Sequence, residues 1–176
     1  DLTFGGAGHV TVKDPIATST GTLTKDGSGT LTLSGNNTFS GATTVSAGTL
    51  TISGSAASSA VSVSSGATLA GAGTVGSIAS LAGTVSPGNS SGEAGTLTVS
   101  GAAALGGGIY TCDITGLGST DCDKIDASGA VAAGSALTIN LPTSAPAAFD
   151  AATDYSWTIM SGSSSDIANM TIGTKW

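Results

Sequence analysis

Four groupings of side chains have the types and spacing that chemistry could use. Gly71-Ala72-Gly73-Thr74-Val75-Gly76 is a literal G-x-G-x-x-G, and Glu93 follows at the distance where dinucleotide folds place a ribose-binding acid. The stretch "CDITGLGSTDCDKID" gathers Asp113, Asp121, Asp123 and Asp126, and calcium takes several oxygens from one loop. Paired acids also serve glycoside hydrolysis. Cys112 and Cys122 flank the same stretch. The steps Thr22/Thr24, Thr30/Thr32, Thr49/Thr51 and Thr96/Thr98 could align into a flat hydroxyl face that binds ice or another ligand.

Each grouping has a plainer reading. A dinucleotide site needs a helix starting at the glycines. Gly76 leads instead into "SIASLAGTVSPGN", with Pro87 and no helical period, so these glycines read as corners of a coil. The aspartates match neither an EF-hand nor the glycine-rich nonapeptide of calcium-binding β-rolls. They read as turn formers accepting backbone N–H bonds, with calcium a weak second reading. The solitary His9 has no second histidine for a metal pair and reads as solvated. Threonine is also the ordinary residue for the solvent side of a strand.

For the cysteines, a hairpin centred on Leu117 sets 112 opposite 122, 113 opposite 121 and 114 opposite 120. Opposed residues have Cβ atoms about 4.5–5.5 Å apart, adjustable toward disulfide geometry. A Cys112–Cys122 bridge is therefore expected, which fits an oxidising compartment. No cofactor and no metal is expected.

The composition narrows the class. The 176 residues carry 28 glycines and only 9% charged residues, with net charge −7. Four scattered lysines cannot make a phosphate-neutralising stripe, so nucleic acid is excluded as a partner. Arginine and glutamine are absent, and Thr, Ser, Gly, Ala and Val dominate, a bias toward strands and turns. The hydrophobic share of 39% argues against a disordered linker. No apolar run is long enough for a transmembrane helix. The start at Asp1, without a Met or a signal peptide, is that of a processed product or an excised segment.

Short alternating strands must position all of these groups. "GTLTLSG" begins at 29, "GTLTISG" at 48, "GATLAG" at 66 and "GTVSPG" at 83, steps of 19, 18 and 17 residues. A further "GTLTVSG" begins at 95 and a partial copy, "GTLTKDG", at 21. Leu31 and Leu33 share one face of their strand, and Thr30 and Thr32 the other; Leu50 with Ile52, Val61 with Val63 and Leu97 with Val99 repeat the pattern. Glycine-rich and Asn-rich turns bracket each strand. Near-identical units at this step, with no helix between, predict a wound solenoid whose circuits stack about 4.8 Å apart. At 19–20 residues per circuit the chain makes about nine circuits, a rod on the order of 40 Å long.

"GTLTKDGSGTLTLSGNNTFSGATTVSAGTLTISG", residues 21–54, closely resembles the autotransporter-associated β-strand repeat, also called the passenger-associated transport repeat. Lys25, Gly27, Gly29, Leu31, Gly35, Asn37, Thr38, Phe39, Gly41, Thr43, Thr44, Val45, Gly48 and Leu50 fill its pattern. "LAGAGTVGSIASLAGTVSPGNSSGEAGTLTVSG" is similar to the segment that comes after such repeats, and "CDKIDASGAV" to a further Asp-Lys step. The resemblance implies a right-handed parallel β-helix, exported to the bacterial cell surface or beyond, and a scaffold rather than an activity.

The expected organisation is one domain. Coils span 1–136, with the repeat core at 21–101 and a hairpin insertion near 110–125. Residues 137–176 form terminal coils and a cap in which Phe149, Tyr155, Trp157 and Trp176 seal the last coil or dock onto a neighbour. The expected function is a non-enzymatic, extracellular structural or adhesive solenoid. Its partners are other copies of itself, stacked head to tail into a filament, or a cell-surface glycan or protein. A polysaccharide-active β-helix enzyme using the four aspartates is the alternative, and a Thr-face ice- or ligand-binding module is the third reading.

Overall fold

The computed structural model describes residues 1–118, 121–134, 136–142, 158–163, 165–166 and 170–172. Phe149, Tyr155, Trp157 and Trp176 lie outside the described residues. Each of the first five circuits contributes two strands. These are β1 (Leu2–Phe4) and β2 (Val10–Val12), β3 (Leu23–Lys25) and β4 (Thr30–Leu33), β5 (Thr43–Val45) and β6 (Thr49–Ile52), β7 (Ser55–Val63) and β8 (Thr68–Gly71), then β9 (Thr74–Leu81) and β10 (Thr84–Pro87). Each later circuit adds a third strand. The sixth holds β11 (Thr96–Val99), β12 (Ala103–Ala104) and β13 (Ile109–Thr111). The seventh holds β14 (Lys124–Ala127), β15 (Val131–Ala132) and β16 (Leu137–Asn140), and the eighth β17 (Met160–Ser161), β18 (Ser165–Asp166) and β19 (Met170–Ile172).

The circuits stack as a right-handed parallel β-helix. One sheet runs β1-β3-β5-β7-β9-β11-β14-β17 and the other β2-β4-β6-β8-β10-β13-β16-β19. A short third ladder, β12-β15-β18, leaves the first sheet at β9. Every named strand pairing among the described residues is parallel. Among these residues no helix is long and apolar enough to cross a membrane.

Alternation decides which side chains go in. Register stacks Leu31 on Leu50, Leu69, Val85, Tyr110 and Ile139, and these positions are buried. Each fully buried leucine stabilises the fold by about 1.5–3 kcal/mol. Threonines between them face outward, where their β-branched stems suit a pleated surface.

The described residues make eight circuits where the uniform step predicts about nine. The step along this column is 16 residues from Leu69 to Val85, then 25 to Tyr110, 29 to Ile139 and 33 to Ile172. The longer circuits accommodate the third strand and an antiparallel excursion at 112–123, so fewer of them fit the same length.

Candidate functional site

The chemically richest part of the molecule is that excursion, which leaves the helix after β13 and returns at β14. Tyr110 stands in the apolar ladder of the second sheet, fully buried. Its hydroxyl donates to the backbone carbonyls of Asp123 (2.8 Å) and Ile159 (3.2 Å) and so ties the base of the hairpin to the next circuit. Burial pushes its phenol far above the ordinary range. The Asp123 carboxylate is 0% exposed. Its Oδ1 accepts the Gly95 N–H (2.8 Å) and its Oδ2 the Asp113 N–H (3.0 Å). Desolvation raises the Asp123 pKa to about 7, opposed by those two backbone bonds.

The four aspartates do not converge. Asp113 Oδ2 accepts the Gly92 N–H at 2.8 Å, outside the coil. Asp121 Oδ2 accepts the Gly118 N–H at 2.9 Å and closes the hairpin tip. Asp126 stands on β14 beside Lys124 (3.6 Å) and accepts the Ser161 hydroxyl, a bond that holds its pKa below the usual value. Among the described residues no group of three or more His, Cys, Asp or Glu could hold a metal ion. Asp113, Asp121, Asp123 and Asp126, the weak calcium candidates of the sequence, are thus not gathered into one such group. Each carboxylate is spent on a different local contact, three of them on backbone N–H groups.

The expected Cys112–Cys122 bridge is not formed. The hairpin register is one residue off the expected centre: Ile114 bridges Cys122, Asp123 N–H donates to Asp113 O (2.8 Å) and Thr115 N–H to Asp121 O (2.8 Å). This sets the cysteines diagonally rather than opposite. Diagonal positions lie about 7–8 Å apart, beyond the usual Cα separation of a disulfide. The cause is at the tip, where Asp121 N–H donates to Gly118 O (3.0 Å) and its carboxylate accepts Gly118 N–H, pinning the turn around Gly118. Both thiols are buried. Cys112 faces Asp123 O (3.9 Å), Cys122 faces Thr158 O (3.8 Å), and burial pushes the Cys112 thiol up to about 12.

The G-x-G-x-x-G has no helix behind it. Gly76 lies within β9. Gly71 has φ +116°, and a Cβ there would meet Ile52 O at 2.1 Å; one on Gly73 would meet Gly54 O at 2.2 Å. These glycines let one circuit close onto the one beneath it. His9 is exposed in the first corner.

The threonine steps divide between faces. Thr24, Thr96 and Thr98 stand on the first sheet, and Thr30, Thr32, Thr49 and Thr51 on the second. On the second sheet register aligns Thr30, Thr49, Thr68 and Thr84 in one column. Beside it, Thr51 is 7% exposed. Thr30, Thr49, Thr51 and Thr68 floor a groove of about 340 Å³, walled by residues 88–91. Sequence alone shows the threonines but not the wall.

Comparison with known families bears on the first circuits. The family model of the passenger-associated-transport-repeat matches residues 23–52. That stretch is similar to a passenger-associated-transport-repeat. No curated protein matches the chain closely enough to extend this assignment.

The structure explains what the repeat's polar residues do. Lys25 occupies an inward column between Phe4 and Val45 and is 3% exposed. Its stem fills the ladder while its ammonium leaves at the corner, donating to Gly27 O and to Ala47 O (3.4 Å). Asn37 is 6% exposed and serves three chain segments at once. Its Oδ1 accepts Ile16 N–H (2.9 Å), and its Nδ2 donates to Gly35 O (3.0 Å) and Ser55 O (2.9 Å). Phe39, 1% exposed, belongs to the core cluster. Beside Thr43, the buried first residue of β5, Ser59 Oγ of β7 donates to Gly41 O and lies 2.8 Å from Thr43 Oγ1. These residues join successive circuits at the corners or at the strand positions beside them, satisfying backbone groups there.

Proposed function

We propose that this chain is a non-enzymatic, extracellular β-solenoid scaffold, structural or adhesive, displayed or released at the bacterial surface and able to stack end to end. The observation that carries the reading is the disposition of its polar groups. The buried Lys25, Asn37, Ser59 and Asp123 are all turned to backbone groups of neighbouring segments, while an apolar ladder runs through the circuits. Among the described residues the buried polar side chains named here hold coils together. The passenger-associated-transport-repeat supports an exported location.

Where the first described circuit is the end of the solenoid, end-to-end stacking would use its open edge. β1 and β2 each pair on one side only among the described residues. Val10 is 43% exposed although its column is apolar, and Leu2, Phe4 and Val12 are only partly buried. An unpaired strand edge with apolar residues is a template for another strand, and a head-to-tail contact propagates. Negative-stain electron microscopy and sedimentation across a concentration series test this. Rods that lengthen with concentration are expected, and Val10→Lys should disperse them. Monodisperse single rods at high concentration would sink the stacking claim. Protease treatment of intact cells tests the location, and a chain protected inside the cell would sink that claim.

A further inference from the structure

The groove on the outer face of the second sheet has properties the scaffold reading does not use. Thr30, Thr49 and Thr68 succeed one another in a single register column, so their hydroxyls repeat at the strand separation, about 4.8 Å. Alongside rises the turn after β10. It is anchored by paired backbone bonds between Gly71 and Gly88 (2.8 and 3.2 Å) and by Asn89 Oδ1, which accepts Ser53 Oγ–H (2.9 Å) and Ala72 N–H (3.4 Å). Floor and wall enclose about 340 Å³, at the small end of ligand sites.

Thr51 marks this groove as more than a row of solvated threonines. It alternates outward between the inward Leu50 and Ile52, yet is only 7% exposed. It lines the groove, and its hydroxyl makes no hydrogen bond to the described residues. The other buried polar side chains, Lys25, Asn37, Thr43, Ser59 and Asp123, each have one. An unpartnered buried hydroxyl is destabilising unless a group in the adjoining space completes it.

We propose that this groove binds a neutral saccharide chain laid along the helix axis. The lining contains no charged side chain, so phosphates, sulfates and uronates find no counter-charge. It contains no aromatic or large aliphatic side chain, so lipid tails and apolar peptides gain little burial. Hydroxyls and the Asn89 amide donate and accept alike, as sugar hydroxyls require. The groove crosses several parallel strands at a steady step, a geometry for a repeating ligand. The inference rests on the scaffold reading only for location and gives the scaffold an adhesive partner.

The test is an NMR titration of the isotope-labelled full chain with cellohexaose, maltohexaose and chitohexaose as neutral probes, and oligogalacturonate as the charged comparison. At millimolar concentration at least one neutral probe should shift the amide signals of Thr49, Thr51, Thr68 and Asn89. Thr51→Val keeps the shape and deletes the hydroxyl. It should weaken binding about 5- to 10-fold and raise the melting temperature of the unliganded chain. Thr68→Lys, on a half-exposed position, should abolish binding with the circular dichroism spectrum unchanged. Absence of shifts with all three neutral probes overturns the proposal. So does binding that Thr51→Val and Thr68→Lys leave intact, or an equal affinity for oligogalacturonate. End-to-end stacking uses the first circuit and not this groove, so Val10→Lys should leave saccharide binding unchanged and the two readings fail separately.

Discussion

Replacing Asn37 by alanine isolates the corner chemistry of the solenoid. The side chain makes three hydrogen bonds, to Ile16 N–H, Gly35 O and Ser55 O. The two carbonyls keep other partners, because Gly35 O accepts Ser55 N–H (3.1 Å) and Ser55 O accepts Asn37 N–H (2.8 Å). Ile16 N–H loses the acceptor it has. An orphaned buried donor costs about 1–3 kcal/mol and each further lost bond about 0.5–1.5 kcal/mol. Asn37→Ala should therefore destabilise the chain by about 3 kcal/mol, a drop in melting temperature of roughly 6–12 °C for a chain of this size. Asn36→Ala is the matched control. Asn36 is exposed, and its substitution should stay within about 0.5 kcal/mol. Urea unfolding followed by circular dichroism reads both, provided the two variants share the wild-type m-value. A loss below about 1 kcal/mol for Asn37→Ala, or equal losses at 36 and 37, would refute the assignment of the corner to Asn37.

Three further outcomes are expected. Gly73→Ala would drive a Cβ to 2.2 Å from Gly54 O and should prevent folding or cost more than about 3 kcal/mol, whereas Gly8→Ala, which meets nothing within 4 Å, should be tolerated; thermal melts of the pair separate the corner role of the glycine motif from any other. Tyr110→Phe keeps the ladder but removes the bonds to Asp123 O and Ile159 O, so a loss of about 1–2 kcal/mol is expected, and an unchanged melt would show that the hydroxyl ties nothing. Asp123 has its folded pKa raised from 3.8 to about 7, so between these values the native chain holds a proton that the unfolded chain has released. Stability should fall as pH rises through that window and level off above it, and Asp123→Asn should flatten the slope; a wild-type stability that climbs from pH 4 to 7 at this site would reverse the assignment.

The solenoid was legible because its causes are local. Period-two alternation in "GTLTLSG" and "GTLTISG" and their near-constant spacing dictate short strands that stack in register. Leu31, Leu50 and Leu69 meet as that spacing requires. The glycine motif was legible as a set of corners for the same reason, since it falls inside the repeat. The number of circuits was not legible. The step lengthens only where a third strand and the hairpin enter, and nothing in the local alternation around Tyr110 announces that its circuit runs longer. Tyr110 itself went unnoticed, because one aromatic in an aliphatic column reads as core until its hydroxyl is seen against Asp123 O.

The fate of the reactive-looking residues depended on offsets of a single residue and on chain segments far apart in sequence. The turn at Gly118 moves the hairpin register by one position and takes Cys112 and Cys122 out of line. The aspartates, close along the chain, are carried to separate places by the return into β14. Thr51 looks like every other outward threonine until the Gly88–Ser91 turn, more than thirty residues later, folds beside it. Sequence by itself determined the strands, the inward ladders and the parallel winding, because those arise from side-chain period and turn residues within one circuit. Tertiary structure alone decided which polar atoms are buried, which find partners and where a groove opens, because these depend on contacts between circuits that no local pattern encodes.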